Sequence, residues 1–163
     1  MDARPETSLD AAYAQCREAV RAGDRIGYLS ALMAPAAARG GLFALGAFAL
    51  EAARVREQAR EPLVGEVRLQ WWRDAMATPA GQRLGSPIAD ALLDTTERWR
   101  LPRGALVDAL DARLFDLYDD PMPSLTDFEG YAGETRGSLI QLAAIVLAGG
   151  EDPGAGTVAG HAG

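Results

Sequence analysis

No stretch of this 163-residue chain alternates apolar and polar residues for long enough to make a strand, and β-branched residues are sparse. Helix punctuation, by contrast, recurs along its length. Thr7 with Asp10 offers an N-cap for "SLDAAYAQCREAVRAG", and Gly23 is a natural C′ residue. "DRIGYLSALM" follows and stops before Pro35. A long helix is expected from about Pro35 to Arg60, with Gly40–Gly41 as its expected bend. Pro62 opens "PLVGEVRLQWWRDAM" at the first helical position, where its missing N–H costs nothing. "SPIADALLDTTERWR" and "LPRGALVDALDARLFDLYD" begin the same way. Thr126 and Glu129 have capping-box spacing ahead of "YAGETRGSLIQLAAIVLAG". These signals predict an all-α chain of about seven helices with short loops, most simply a helical bundle.

Length and composition suit one globular domain over residues 1–163: 48% of residues are hydrophobic and 24% charged. The Gly-rich tail, 149–163, reads as a linker or frayed end, and His161 within it as solvent-exposed. The net charge of −7 excludes the electrostatic footprint of a nucleic-acid binder. Every basic residue is arginine, a bias of composition rather than of function. The single cysteine, Cys16, allows no intrachain disulfide and reads as a small, half-buried helix residue. The acidic N-terminus has neither a signal-peptide core nor transit-peptide character. "LFALGAFALEAA" and "SLIQLAAIVLAGG" are read as buried helices too short to span a bilayer.

The long third helix carries the sharpest chemical question. Leu42 to Ala53 is apolar nearly all round, which predicts burial and places Glu51 in a core or cavity. A buried carboxylate needs a partner, and Arg54 lies within reach at i+3. Glu57 is about 120° further around the helix, so the two acids do not share a face. Mg²⁺ held between a helix and a diphosphate wants clustered acids; this helix offers acid, Arg, Arg, acid. A structural ion pair is the favoured reading.

On the next helix a wheel groups Leu63, Val67, Trp71 and Ala75 as the apolar side. It groups Glu66, Gln70, Arg73 and Asp74 as a polar stripe, either solvated or rimming a cavity, with Arg73 free to meet Glu51 or a ligand phosphate. Trp71 is the expected core residue and Trp72 the expected contact residue. "DLYDD", Asp116 to Asp120, looks like a metal motif but ends a helix, where side chains fan into solvent and oppose the helix dipole. The glycines of "GYAGETRGS" suggest close helix approach or room for a ligand.

Four stretches in order, "DRIGYLSALMAP…RGGLFALGAFALEAARVRE", "GEVRLQWWRDAM", "PIADALLDTTERWRLPRGALVDALDARLFDL" and "YAGETRGSLIQLA", resemble squalene/phytoene synthases over about Asp24 to Gly150. The resemblance implies the isoprenoid-synthase helical bundle with a central cavity, here its N-terminal portion. It also implies cavity-lining roles for Tyr28, Glu51, Arg54, Gln70, Arg73 and Tyr131. Active members join two prenyl diphosphates head to head with Mg²⁺. The family's first acidic motif, D-D-x-x-D, falls here on Ala53-Arg54-Val55-Arg56-Glu57, where Glu57 is the one acid left. The second is expected beyond the last helix.

The pattern is most similar to a branch that also lacks the acidic motif and acts in respiratory complex I assembly. The expectation is therefore a non-catalytic member that binds a lipid-like ligand, a prenyl diphosphate or a protein partner, with no catalytic residue, no metal and no cofactor assigned. A Mg²⁺-dependent prenyl transferase is the alternative. A cytoplasmic location is expected, with peripheral attachment to the inner membrane left open.

Overall fold

The structure, a computed structural model, describes residues 8–163. Among them are nine α-helices and no strand. They are α1 (Leu9–Gly23), α2 (Arg25–Met33), α3 (Ala36–Gln58), α4 (Pro62–Met76), α5 (Pro87–Arg98), α6 (Arg103–Ala112), α7 (Leu125–Ala132), α8 (Ser138–Leu147) and α9 (Gly156–Ala162). A 3₁₀ turn at Arg113–Leu117 follows α6, and a π turn at Gly133–Gly137 joins α7 to α8 into one continuous rod. The all-α expectation holds. The count exceeds seven because that rod is interrupted and because the tail folds.

α3 is the central helix, packed against α1, α5 and α8. Its small face, Ala44 and Ala47, meets Ala12 and Cys16 of α1. Its larger face, Leu45, Phe48, Ala52 and Val55, meets Leu69 and Trp72 of α4 and Leu92 of α5. This two-sided burial is what the nearly uniform apolar run demanded. The helix is unbroken through Gly40–Gly41, contrary to the expected bend. Those glycines serve packing: a Cβ on Gly41 would lie 3.0 Å from Trp99 Nε1 and 3.2 Å from Val146 Cγ1. With 23 residues and a window of mean hydropathy 1.2, α3 is also long and apolar enough to cross a bilayer, which corrects the reading that it was too short. Its contacts with five other helices, α1, α2, α4, α5 and α8, are those of a core helix. Cys16 is fully rather than half buried.

The helix ends differ in detail from their sequence signals. Ser8 caps α1, accepting from the Ala11 amide at 3.3 Å; the Thr7 expectation lies outside the described residues. Gly23 stays within α1; Asp24 closes that helix by donating its backbone N–H to Val20 O at 2.8 Å, and its carboxylate caps α2 by accepting from Gly27 N at 2.9 Å. Ser124, not Thr126, caps α7, accepting from Asp127 N at 3.1 Å. The helix thereby starts two residues before the expected capping box.

The face that α4 turns inward is the largest correction. Gly65, Leu69, Trp72, Ala75 and Met76 are buried, while Leu63 (67%), Val67 (64%) and Trp71 (44%) are exposed. The wheel weighed side-chain hydrophobicity, whereas the fold selected the side where backbones come close. A Cβ on Gly65 would stand 2.4 Å from Leu117 Cδ2, so only glycine admits that contact unmoved. Trp72 then meets Phe48 edge to face with centroids 5.3 Å apart, a favourable aromatic geometry.

Part of the tail is folded, in the short helix α9. α9 packs on α8 and on the π turn, and Ala159 is buried. His161 is exposed, as expected, with Nδ1 2.7 Å from Thr157 O. A Cβ on Gly137 would meet the Ala159 carbonyl oxygen at 3.0 Å, so one glycine of "GYAGETRGS" does serve close approach. Gly130 and Gly133 face open space.

Candidate functional site

α2, α3 and α8 enclose a cavity of about 700 Å³, within the range of small-molecule sites. Leu42, Leu45 and Leu50 of α3 and Leu139, Ile140 and Ala143 of α8 give it apolar walls. Its charged groups are Asp24, Arg113 and Arg136. Asp24 is engaged in capping α2.

Arg113 reaches this wall from the 3₁₀ turn after α6, and its side chain is only 18% exposed. A guanidinium that far from water needs compensation. Its Nη1 donates to Asp116 Oδ2 at 2.9 Å and to the Tyr131 hydroxyl at 3.0 Å. Tyr131 in turn donates to Asp116 Oδ1 at 2.6 Å. Burial, then the hydrogen bond to Asp116, pushes the Tyr131 phenol up to about 12. The three residues form a closed triangle between the 3₁₀ turn and the end of α7. "DLYDD" divides: Asp116 is held in the triangle, while Asp119 and Asp120 are solvent-exposed as expected, Asp119 meeting Arg56 at 2.8 Å at the surface. The motif lies in a 3₁₀ turn, which packs against α3, α4 and α6, and in the loop after it.

The six residues expected around one cavity are spread over the bundle. Tyr28 stacks on Phe43 with centroids 5.6 Å apart and accepts from Arg17 Nη2 at 3.2 Å. Glu51 pairs with Arg54 at 3.6 Å, as the i,i+3 spacing predicted. Both side chains are more than a third exposed, so Glu51 is not a deeply buried carboxylate. It borders a separate cavity of about 220 Å³ beside Trp71 and Trp72. Gln70 donates to Asp74 Oδ1 at 2.8 Å. Arg73 pairs with Asp111 of α6, not with Glu51, because its side chain is directed to the α4–α6 contact. Gln70 and Arg73 border a groove of about 470 Å³ together with Leu63 and Tyr118. Tyr131 lines a fourth hollow, of about 430 Å³, with Phe115.

The donor set on α3 does not fit Mg²⁺. Arg54 and Arg56 place two cations within the segment that would have to collect one, and each is paired with an acid, Glu51 and Asp119. Glu57 is exposed, and among the described residues no three of His, Cys, Asp and Glu come together.

Arg113 and Arg136 were missed in the sequence. The i,i+3 spacing of Arg113 and Asp116 was a legible signal of pairing, but the closing hydroxyl comes from 15 residues further on. Nothing in the local pattern marks Arg136 as a cavity residue.

Residues 20–163 match the squalene/phytoene synthase family. NADH dehydrogenase (ubiquinone) complex I, assembly factor 6, of Homo sapiens is 33% identical over 137 residues, 81% of this chain and 40% of that protein. Its Rattus norvegicus counterpart is 33% identical over 153 residues, 91% of this chain and 44% of that protein. The chain thus spans less than half the length of these relatives. A dehydrosqualene synthase crystallised with a ligand superposes with a TM-score of 0.71 at 18% identity, over 88% of this chain and 50% of that one. That likeness establishes the shared fold.

Proposed function

This chain belongs to the squalene/phytoene synthase family, and from that premise we propose that it is a non-catalytic member, a lipid- or partner-binding factor in respiratory complex I assembly. One observation carries the reading. Where prenyl-diphosphate chemistry calls for clustered acids, α3 presents Arg54 and Arg56, each paired with a carboxylate. An arginine cannot coordinate Mg²⁺, and its positive charge opposes the gathering of a cation that would neutralise a leaving diphosphate. The named relatives support the setting, complex I assembly, and the cavity of about 700 Å³ supports a lipid-like ligand. The site of action is the surface of the membrane in which complex I is built.

Two measurements test the parts separately. Incubation of the chain with farnesyl or geranylgeranyl diphosphate and Mg²⁺ is expected to yield no squalene- or phytoene-type product; steady turnover would end the non-catalytic reading. Deletion of the gene in its native host is expected to lower NADH:ubiquinone oxidoreductase activity in membranes. Wild-type activity with a normally assembled complex would end the assembly reading.

A further inference from the structure

Two arginines stand on the wall of the cavity in a chain that is acidic overall. The protein carries a net charge of −7, yet two of the three charged side chains lining the cavity are arginines, Arg113 and Arg136. Arg136 makes no hydrogen bond or ion pair to any described residue and projects from the π turn, an irregularity that recurs at functional positions. Arg113 uses one nitrogen, Nη1, for both of its protein bonds. Its Nε and Nη2 have no protein partner. No fully buried side-chain nitrogen or oxygen among the described residues lacks one, so these donors remain open to solvent. Asp116 neutralises one of the two positive charges and Asp24 is engaged in capping α2, so Arg136 is the charged group of the lining with no acid paired to it among the described residues. Arginine is well suited to such a place because it holds its charge at any working pH and presents several donors in one plane.

We propose that Arg113 and Arg136 form an anion subsite for the headgroup of a single-chain lipid, a carboxylate or a phosphate monoester, whose hydrocarbon tail lies along the apolar walls of the cavity. Binding needs no divalent metal, because the arginines supply the positive charge. The triangle with Asp116 and Tyr131 positions Arg113 through Nη1 and leaves its Nε and Nη2 without a protein partner for the ligand to engage. The inference rests on the proposed reading that the cavity accepts a lipid-like molecule, and it adds the chemistry of the head and the residues that read it.

The test holds the chain constant and changes only the head. Oleate, oleyl phosphate and oleyl alcohol compete against a dansylated fatty-acid probe bound to the 163-residue protein in EDTA. Either anion should bind about ten-fold or more tightly than the alcohol, the scale of one charge-assisted hydrogen bond. The two anions separate a carboxylate from a phosphate source. Arg136→Gln, at an exposed position, should abolish most of that preference while leaving alcohol affinity and the thermal midpoint unchanged. Arg113→Gln should reduce the preference likewise but also lower the thermal midpoint, since Asp116 loses its partner, with Arg113→Lys restoring part of both.

Equal binding of alcohol and anions, or an anion preference that survives Arg136→Gln, overturns the subsite while leaving a lipid cavity standing. Failure of all three to bind overturns the lipid reading with it. Anion binding that appears only after Mg²⁺ is added overturns the metal-free claim.

Discussion

The Tyr131 hydroxyl donates to Asp116 Oδ1 across 2.6 Å, joining the end of α7 to the 3₁₀ turn that follows α6. Both residues also bond the same arginine, Arg113, so the contact sets one wall of the main cavity. The phenol is raised to about 12 in the folded protein, from an unfolded value near 10. Its proton therefore favours folding below about pH 10, and that contribution is lost as pH rises from about 10 to 12. Tyr131→Phe is expected to cost about 1 kcal/mol at neutral pH, because Asp116 retains Arg113. It should also flatten the alkaline fall in stability. Urea denaturation at pH 7 and across pH 9–12 checks both; an unchanged alkaline slope in the variant would refute the assignment.

Adjacent tryptophans should behave oppositely. Trp72 is 6% exposed and packs on Phe48, while Trp71 is 44% exposed. Trp72→Ala is expected to lower stability by about 3–5 kcal/mol through loss of buried area and an unfilled cavity. Trp71→Ala should cost less than about 1 kcal/mol. Chemical denaturation of the two variants reads the difference, and the reverse order would mean that α4 faces the other way.

The C-terminal helix is docked through a glycine. Gly137→Leu places a side chain where the Ala159 carbonyl oxygen stands 3.0 Å from the position of a Cβ. α9 should detach while the core of α3, α4, α5 and α8 remains folded. Hydrogen exchange is expected to rise over residues 156–162 and stay unchanged over 36–58. Continued protection of α9 in the variant would contradict the packing.

Arg103, the first residue of α6, ties the end of α4 to α5. Its Nη1 donates to the Met76 carbonyl at 3.1 Å and to the Thr78 carbonyl, while Nη2 reaches Glu97 at 3.3 Å. These bonds satisfy carbonyls left open at the end of α4. Arg103→Ala is expected to cost about 2 kcal/mol. Arg103→Lys should recover less than half, since one ammonium cannot span both directions. Thermal melts of the two variants test this, and a full rescue by lysine would show that charge, not reach, is what matters.

What the sequence determined on its own is local in physical origin. Helices announced themselves because side chains three and four apart meet on one face and because caps act within one turn. The all-α bundle, the burial of α3 and the Glu51–Arg54 pair were all legible for that reason. The loss of acids from 53–57 was visible directly in the letters.

What the tertiary structure decided depends on groups far apart in the chain. α4 buries the Gly65–Leu69–Trp72 side because Leu117 lies against it, and no periodicity within α4 records that neighbour. The expected cavity residues dispersed because spacing sets which helix face a residue occupies, not which helix that face meets. Arg113 became a cavity residue through Asp116 and Tyr131, the latter 18 positions on. A carboxylate and a phenol hold that guanidinium by chemistry the sequence contains, in a geometry that only the packed helices create.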